Sequence, residues 1–245
     1  CEHGLSLYIE ADGKKILFDT GASENFAANA EKMGVDLKAV DFAAISHGHY
    51  DHGGGLAKFI EINDHAPIYI SNKGFNQYYS GTDFNVSIPE GLEGNPRFVL
   101  TSEPIKLSEN ITLLNCNDRE AKYFADPYGL NKLVDGEFIP DDFLHEQYLI
   151  IEENGKRIVI SGCSHKGILN IMEWLKPDIL IGGFHFFRLT TEGEDAATLD
   201  KSATILNEYG ATYYTCHCTG TEQYEYLKAQ MPKLNYIATG DVIEF

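Results

Sequence analysis

The chain has 245 residues and a formal charge of −18, from 19 Lys and Arg against 37 Asp and Glu, with 43% hydrophobic and 23% charged residues. This composition excludes a disordered chain, and a chain of this length buries enough surface to fold without a disulfide or metal staple. The acidic balance and the lack of any basic run argue against a phosphate-neutralising nucleic-acid binder and an anionic membrane surface, and favour a small-molecule partner.

In chain order, residues 5–9 alternate with period two and residues 15–18 follow after Asp12-Gly13, which predicts a hairpin. Residues 23–33 read as a helix, 40–46 as a short buried strand running into His47, and 67–70 as another strand. Between about 74 and 140 the pattern weakens into a loop-rich insertion, with short strands at 98–100 and 111–115. Regularity returns with a hairpin, 147–152 and 157–161, around Asn154-Gly155. A helix over 167–175, a strand over 178–182, a helix over 199–209 and a strand over 213–216 come next. Thr219-x-x-Glu222 reads as a capping box, and strands at 235–239 and 242–245 end the chain. Helices and strands intermix without repeat or linker, so residues 1–245 are expected to form one α/β domain carrying the insertion.

No apolar stretch reaches the 18 or more residues of a membrane span, and no charged start with an apolar core marks a signal peptide. Five cysteines are an odd number, and Cys163, Cys216 and Cys218 stand beside or near histidines. Reduced thiols or metal ligands in a cytoplasm fit that pattern better than a disulfide framework. The chain opens at Cys1, without Met and directly before a strand-like run, so a further N-terminal strand is expected ahead of it. Neither Cys1 nor Cys116 carries a motif.

The strongest chemical signal is His47-Gly-His-Tyr-Asp-His-Gly-Gly-Gly55, with three imidazoles and a carboxylate inside six residues after a strand that anchors them. Alternation puts His47 and His49 on one side of an extended loop, able to share a cation, and Asp51 and His52 turn toward a second position. Imidazole with carboxylate suits Zn, Fe, Mn or Ni rather than Ca or Mg. Ser164-His-Lys-Gly167 opens a helix, whose N–H groups with Lys166 would make an anion site, or else an ordinary turn with a solvated lysine. Alternation around His217 sends Cys216 and Cys218 to the opposite face, where packing is the expected role. Tyr78, Tyr79, Phe84, Tyr123, Phe124 and Tyr128 of the insertion form either an aromatic wall for a flat substrate or core.

The histidine cluster resembles the HxHxDH signature of the metallo-β-lactamase-fold hydrolase superfamily. Phe-Asp19-Thr-Gly is similar to that family's early FDTG strand end, and the resemblance spans residue 5 to about 240 apart from the insertion. It implies a four-layer αββα sandwich with metals at one edge between two sheets. It further implies a first metal position at His47, His49 and His145, and a second at Asp51, His52 and His217. Cys163 stands where the family has a bridging Asp, and Cys163 and His165 are rival ligands. Two divalent ions are implied, Zn with Fe or Mn as alternatives, and a metal-activated hydroxide that Asp51 orients. His185 would protonate a leaving group or hold a phosphate oxygen.

Gly-Cys-Ser-His-Lys-Gly, Gly-Gly-Phe-His185 and His-Cys-Thr-Gly are together similar to the 7,8-dihydropterin-6-methyl-4-(β-D-ribofuranosyl)aminobenzene-5′-phosphate synthase-like branch of that superfamily. The implied activity is hydrolysis of a small substrate, phosphorylated or pterin-like. A synthase or lyase using the same metals, an iron redox enzyme and a non-catalytic metal-containing binding protein are the alternatives.

Overall fold

The structure is a computed structural model that describes residues 2–245, so Cys1 lies outside the described residues. Two compact units divide the chain. Unit one runs to Asn115 and adds Pro127–Leu149; unit two is Cys116–Asp126 with Ile150–Phe245.

Unit one opens with the predicted hairpin, β1 (Leu7–Ala11) and β2 (Lys14–Phe18), paired antiparallel from Leu7↔Phe18 to Ala11↔Lys14. Asp12 and Gly13 both take left-handed backbone (φ +50° and +67°), the conformation a two-residue hairpin needs to match strand twist. After α1 (Asn25–Lys32) comes β3 (Phe42–Ala44), then two short helices, α2 (Tyr50–Gly53) and α3 (Leu56–Ile62). β4 (Ile68–Ser71) and β7 (Phe98–Thr101) complete a sheet of order β1-β2-β3-β4-β7, parallel from β2 onward. Its core gathers Leu17, Val40, Ala43, Ile45, Leu56, Phe59, Ile68 and Ile70, and within the predicted 40–46 strand the apolar run 42–45 is buried while Asp41 is exposed.

The loop-rich reading of residues 74–140 needs correcting. β5 (Tyr78–Ser80), β6 (Phe84–Asn85), β10 (Leu130–Val134) and β11 (Glu137–Pro140) form a separate antiparallel sheet of order β11-β10-β5-β6. Val134 and Glu137 flank a second two-residue turn, Asp135-Gly136, again left-handed at both positions. β8 (Ile105–Lys106) pairs with β9 (Ile111–Leu114) as a short hairpin. The helix α3 also went unread, because Leu56-Ala-Lys-Phe-Ile-Glu-Ile follows a glycine run that looked like open loop.

Unit two takes most of β12 (Tyr148–Glu153), then β13 (Lys156–Ile160), α4 (Ile168–Leu175), β14 (Ile179–Ile181), α5 (Gly193–Glu208), β15 (Thr212–Thr215), α6 (Thr221–Lys228) and β16 (Leu234–Tyr236). β13, β14, β15 and β16 lie side by side, all parallel. Asn170, buried on α4, uses its whole amide to tether residues 116–126. Its Oδ1 accepts from Lys122 N–H (3.0 Å) and Tyr123 N–H (2.8 Å), and its Nδ2 donates to the Tyr123 and Lys166 carbonyls, both at 2.8 Å. Three expectations fail here. α5 starts six residues before the predicted 199, residues 242–245 form no strand, and α6 is capped by Gly220 without a side-chain bond. Thr219 lies before the Gly220 cap, and its hydroxyl accepts Phe184 N–H at 2.8 Å instead of a helix N–H.

No helix among the described residues is long and apolar enough to cross a membrane.

Candidate metal centre

In unit one the site grows from the carboxyl ends of adjacent parallel strands, where ligand sites of open α/β sheets form. β2 ends in Asp19 and β3 runs through Ile45 and Ser46 into His47. Asp19 is fully buried and held in left-handed backbone (φ +62°), which Asp tolerates better than most residues. Its carboxylate accepts Ser46 N–H at 2.6 Å, Ser46 O–H at 2.7 Å and the His52 Nδ1 proton at 2.6 Å.

Those bonds decide the histidine tautomers. The Ser46 hydroxyl spends its one proton on Asp19, so toward His47 Nδ1, 2.8 Å away, it acts as acceptor. His47 and His52 therefore both carry their proton on Nδ1 and their lone pair on Nε2. A carboxylate behind an imidazole, orienting it and making it more basic, is the arrangement of metal-ligating histidines. The two rings sit 4.0 Å apart, and His49 lies 4.6 Å from His47. The donor set thus fits a divalent cation that takes nitrogen and oxygen.

Burial first, and then the neighbouring His145, push the His49 pKa down to about 3, so this ring is neutral, the form a metal binds. His52 goes the other way. Burial works to lower its pKa, but the Asp19 and Asp51 carboxylates outweigh that and raise it. Asp51, half-buried on α2, has Oδ2 3.8 Å from His52 Nε2 and 3.6 Å from His3 Nε2. The extended-loop reading of 47–52 holds only to His49, since Tyr50–Gly53 is a helical turn.

The segment that follows β6 supports this loop directly. Tyr50 N–H donates to Val86 C=O at 2.8 Å, and Ile88 N–H donates to Gly48 C=O at 3.2 Å. A side chain at Gly48 would meet Gly74 O at 2.5 Å and the Tyr78 ring at 2.7 Å, so only glycine fits there. From the other side, Gln147 N–H bonds Ser46 C=O and its amide bonds Ile45 C=O, both at 2.8 Å. Tyr78, expected in an aromatic wall or in core, is core, 2% exposed, while Phe84 and Phe124 are exposed.

Asp141 went unread. It follows β11, is buried, and has its Oδ2 3.0 Å from His145 Nε2 and 3.9 Å from His49 Nε2. Burial works to raise its pKa, but the hydrogen bond from His145 and the Phe143 N–H (2.9 Å) hold it below the usual carboxylate value. Its place four residues before His145 was the available signal.

Unit two carries the rest. Cys163 and His165 follow β13, His185 follows β14 and His217 follows β15, so all four stand past the carboxyl ends of neighbouring parallel strands. Ser164, His185 and His217 all take left-handed backbone (φ +60°, +55° and +49°), a costly conformation that clusters at functional sites. The His165 and His185 rings are 4.3 Å apart. Ligand atoms of Cys163, His217 and Cys218 lie within 4.8 Å of one another. The expected alternation of Cys218 away from His217 fails, because the strand stops at Thr215 and residues 217–219 turn as a 3₁₀ helix. Cys216 does pack, and burial pushes its thiol pKa up, with Cys218 adding to the rise. Lys166, read as part of an anion site, has its ammonium on the Asn117 side chain, and Gly167 before α4 is left-handed at φ +87°.

Comparison with known proteins gives one family. The model described as the metallo-beta-lactamase superfamily matches residues 1–199. A 7,8-dihydropterin-6-methyl-4-(beta-D-ribofuranosyl)-aminobenzene-5'-phosphate synthase of Methanocaldococcus jannaschii is 32% identical, over 89% of this chain and 81% of that one. A UPF0173 metal-dependent hydrolase of Staphylococcus haemolyticus is 29% identical, over 56% of this chain and 58% of that one. A crystal structure described as a metal-dependent hydrolase of the beta-lactamase superfamily superposes with a TM-score of 0.80 at 27% identity, covering 100% of this chain and 92% of that one.

Proposed function

The chain belongs to the metallo-β-lactamase superfamily and is a metal-dependent hydrolase of it. From that premise we propose that it hydrolyses a small anionic substrate, phosphorylated or pterin-like, at a zinc site held by His47, His49, Asp51 and His52. One observation carries the reading: Asp19, directly on His52 and through Ser46 on His47, fixes two imidazoles in the tautomer that offers Nε2 to a cation.

A bound divalent ion polarises the scissile group and brings the pKa of a water toward about 7. The chain's own residues do the remainder. Asp51 is the carboxylate less enclosed than Asp19, and it orients the attacking water and takes its proton. His47 and His52 would not serve as that base, since with Ser46 and Asp19 on their Nδ1 protons the Nε2 lone pairs are the ones given to the ion. In unit two, Cys163 with His217 and Cys218 suits a second, softer divalent ion. Reduced thiols also favour the cytoplasm as its compartment.

A second reading is a synthase step on a pterin phosphate at the same residues, favoured by the 32% identity to the archaeal synthase. Elemental analysis of protein purified without added metal, with assays on generic phosphodiesters and carboxylic esters, tests the choice. Hydrolysis that needs zinc and is lost in Asp51→Ala supports the hydrolase. Zinc-containing protein that turns over only a dihydropterin phosphate supports the synthase, and metal-free protein with full activity overturns both.

A further inference from the structure

We propose that His145 is not a metal ligand but the anchor of a buried positioning pair, in which Asp141, held by His145, sets the orientation of His49. The inference rests on the zinc reading of the His47–His52 cluster and assigns the group behind His49.

The polar atoms of His49, Asp141 and His145 lie within 4.8 Å of one another, a spacing that by itself would suit a shared cation. Proton positions argue otherwise. Gly48 N–H donates to His145 Nδ1 at 2.8 Å. A backbone N–H can only donate, so His145 Nδ1 carries a lone pair and the neutral ring carries its proton on Nε2. That proton faces Asp141 Oδ2 at 3.0 Å. Binding a metal at Nε2 would require the ring either to lose its one proton and become an imidazolate or to move that proton to Nδ1 against the Gly48 N–H. This is the reverse of His47 and His52, where acceptors sit behind Nδ1.

The ring cannot simply turn over. Tyr78 stacks on His145 at 4.0 Å and 30°, and the Tyr78 hydroxyl is itself fixed on Lys73 C=O at 2.7 Å. A half-turn of the imidazole would present carbon to both Gly48 and Asp141. Gly48 is held in turn, because Ile88 N–H bonds its carbonyl and its missing side chain lets Gly74 and Tyr78 close over it.

Asp141 is then a carboxylate with one donor on each oxygen, Phe143 N–H on Oδ1 and His145 Nε2–H on Oδ2. Its Oδ2 faces His49 Nε2 at 3.9 Å, an ion-pair approach longer than a hydrogen bond. Facing a carboxylate, His49 would keep its proton on Nε2 and offer Nδ1 to a bound cation, with Asp141 orienting the ring. Asp141 stands behind His49 as Asp19 stands behind His52.

Long-range ¹H–¹⁵N NMR of the histidine rings, in metal-free protein and during zinc titration, tests this without a variant. His145 should keep a bare Nδ1 and a protonated Nε2 throughout, while zinc shifts Nε2 of His47 and His52 and Nδ1 of His49. A zinc shift at His145 Nε2, with loss of its proton, would overturn the proposal and leave the zinc reading standing. Zinc that moves no histidine of the cluster would sink the zinc reading itself, and this inference with it. Asp141→Asn keeps the shape but not the charge, and outer carboxylates of this kind are worth about 10–100-fold in metal affinity. Competition against a chromophoric chelator should find that loss at unchanged zinc stoichiometry; unchanged affinity in a folded variant would also refute the pair.

Discussion

The two units hold their candidate ligands by different means. In unit one none of His47, His49, Asp51, His52 or His145 has left-handed backbone, and buried acceptors or donors fix the proton of His47, His52 and His145. In unit two the backbone does the placing: His185, His217 and Ser164, beside Cys163, are all left-handed, at about 1–2 kcal/mol per residue. Hydrogen bonds between those loops hold them there, as Gly183 N–H on Gly162 C=O at 2.9 Å and Phe187 N–H on Cys218 C=O at 3.1 Å do. A site can thus be organised through its protons or through its backbone, and substitutions should separate the two modes.

The largest effect is expected where the proton arrangement is removed at its root. Asp19→Ala leaves Ser46, His47 and His52 without their common acceptor. Zinc affinity should fall about 10–100-fold, read by competition titration. If affinity held while the protein stayed folded, the orienting role of Asp19 would be wrong.

Next comes Gly48→Ala, which pushes a methyl onto the Gly74 carbonyl and the Tyr78 ring and moves the N–H that holds His145. Overpacking of this kind costs about 1–3 kcal/mol, measurable by urea unfolding. In unit two the counterpart is Asn170→Ala, which leaves the Lys122 and Tyr123 N–H groups without their acceptor. It should cost about 1–3 kcal/mol and raise hydrogen exchange across residues 116–126 while leaving zinc affinity at the unit-one histidines unchanged. Loss of affinity in Asn170→Ala would blur the distinction between the units.

The sequence exposed the parts of this design that depend on local pattern. The two-residue turns at Asp12-Gly13 and Asn154-Gly155 announce their hairpins because only a few residues accept left-handed backbone twice in a row. Asp135-Gly136 carries the same signal, but Leu130–Val134 and Glu137–Pro140 are mixed in polarity and mostly partly or fully exposed, so no alternation marks them. The His47–His52 cluster is dense enough to be seen, and the fold follows from its family. The spacing of Asp141 four residues before His145 is a weak signal, and its role depends on His49, 92 positions away, and on the proton that Gly48 fixes on His145. The capping box at Thr219 misled for the related reason that a tertiary bond to Phe184 outcompetes a local one.

The smallest effect isolates backbone strain from function. Lys176, exposed at the end of α4, is left-handed at φ +46° with its N–H on Met172 C=O at 3.0 Å, a position that favours glycine. Lys176→Gly should stabilise the protein by about 1 kcal/mol, a rise in Tm of roughly 2–4 °C for a chain of this size, with no change in activity or zinc content. On the proposed function, the left-handed backbone at His185 and His217 places side chains that the reaction uses, so glycine there should reduce activity whatever it does to Tm. A Lys176→Gly variant with unchanged or lowered Tm would show that left-handed backbone carries little strain in unit two. The placement of its rim would then rest on packing and hydrogen bonds rather than on backbone strain.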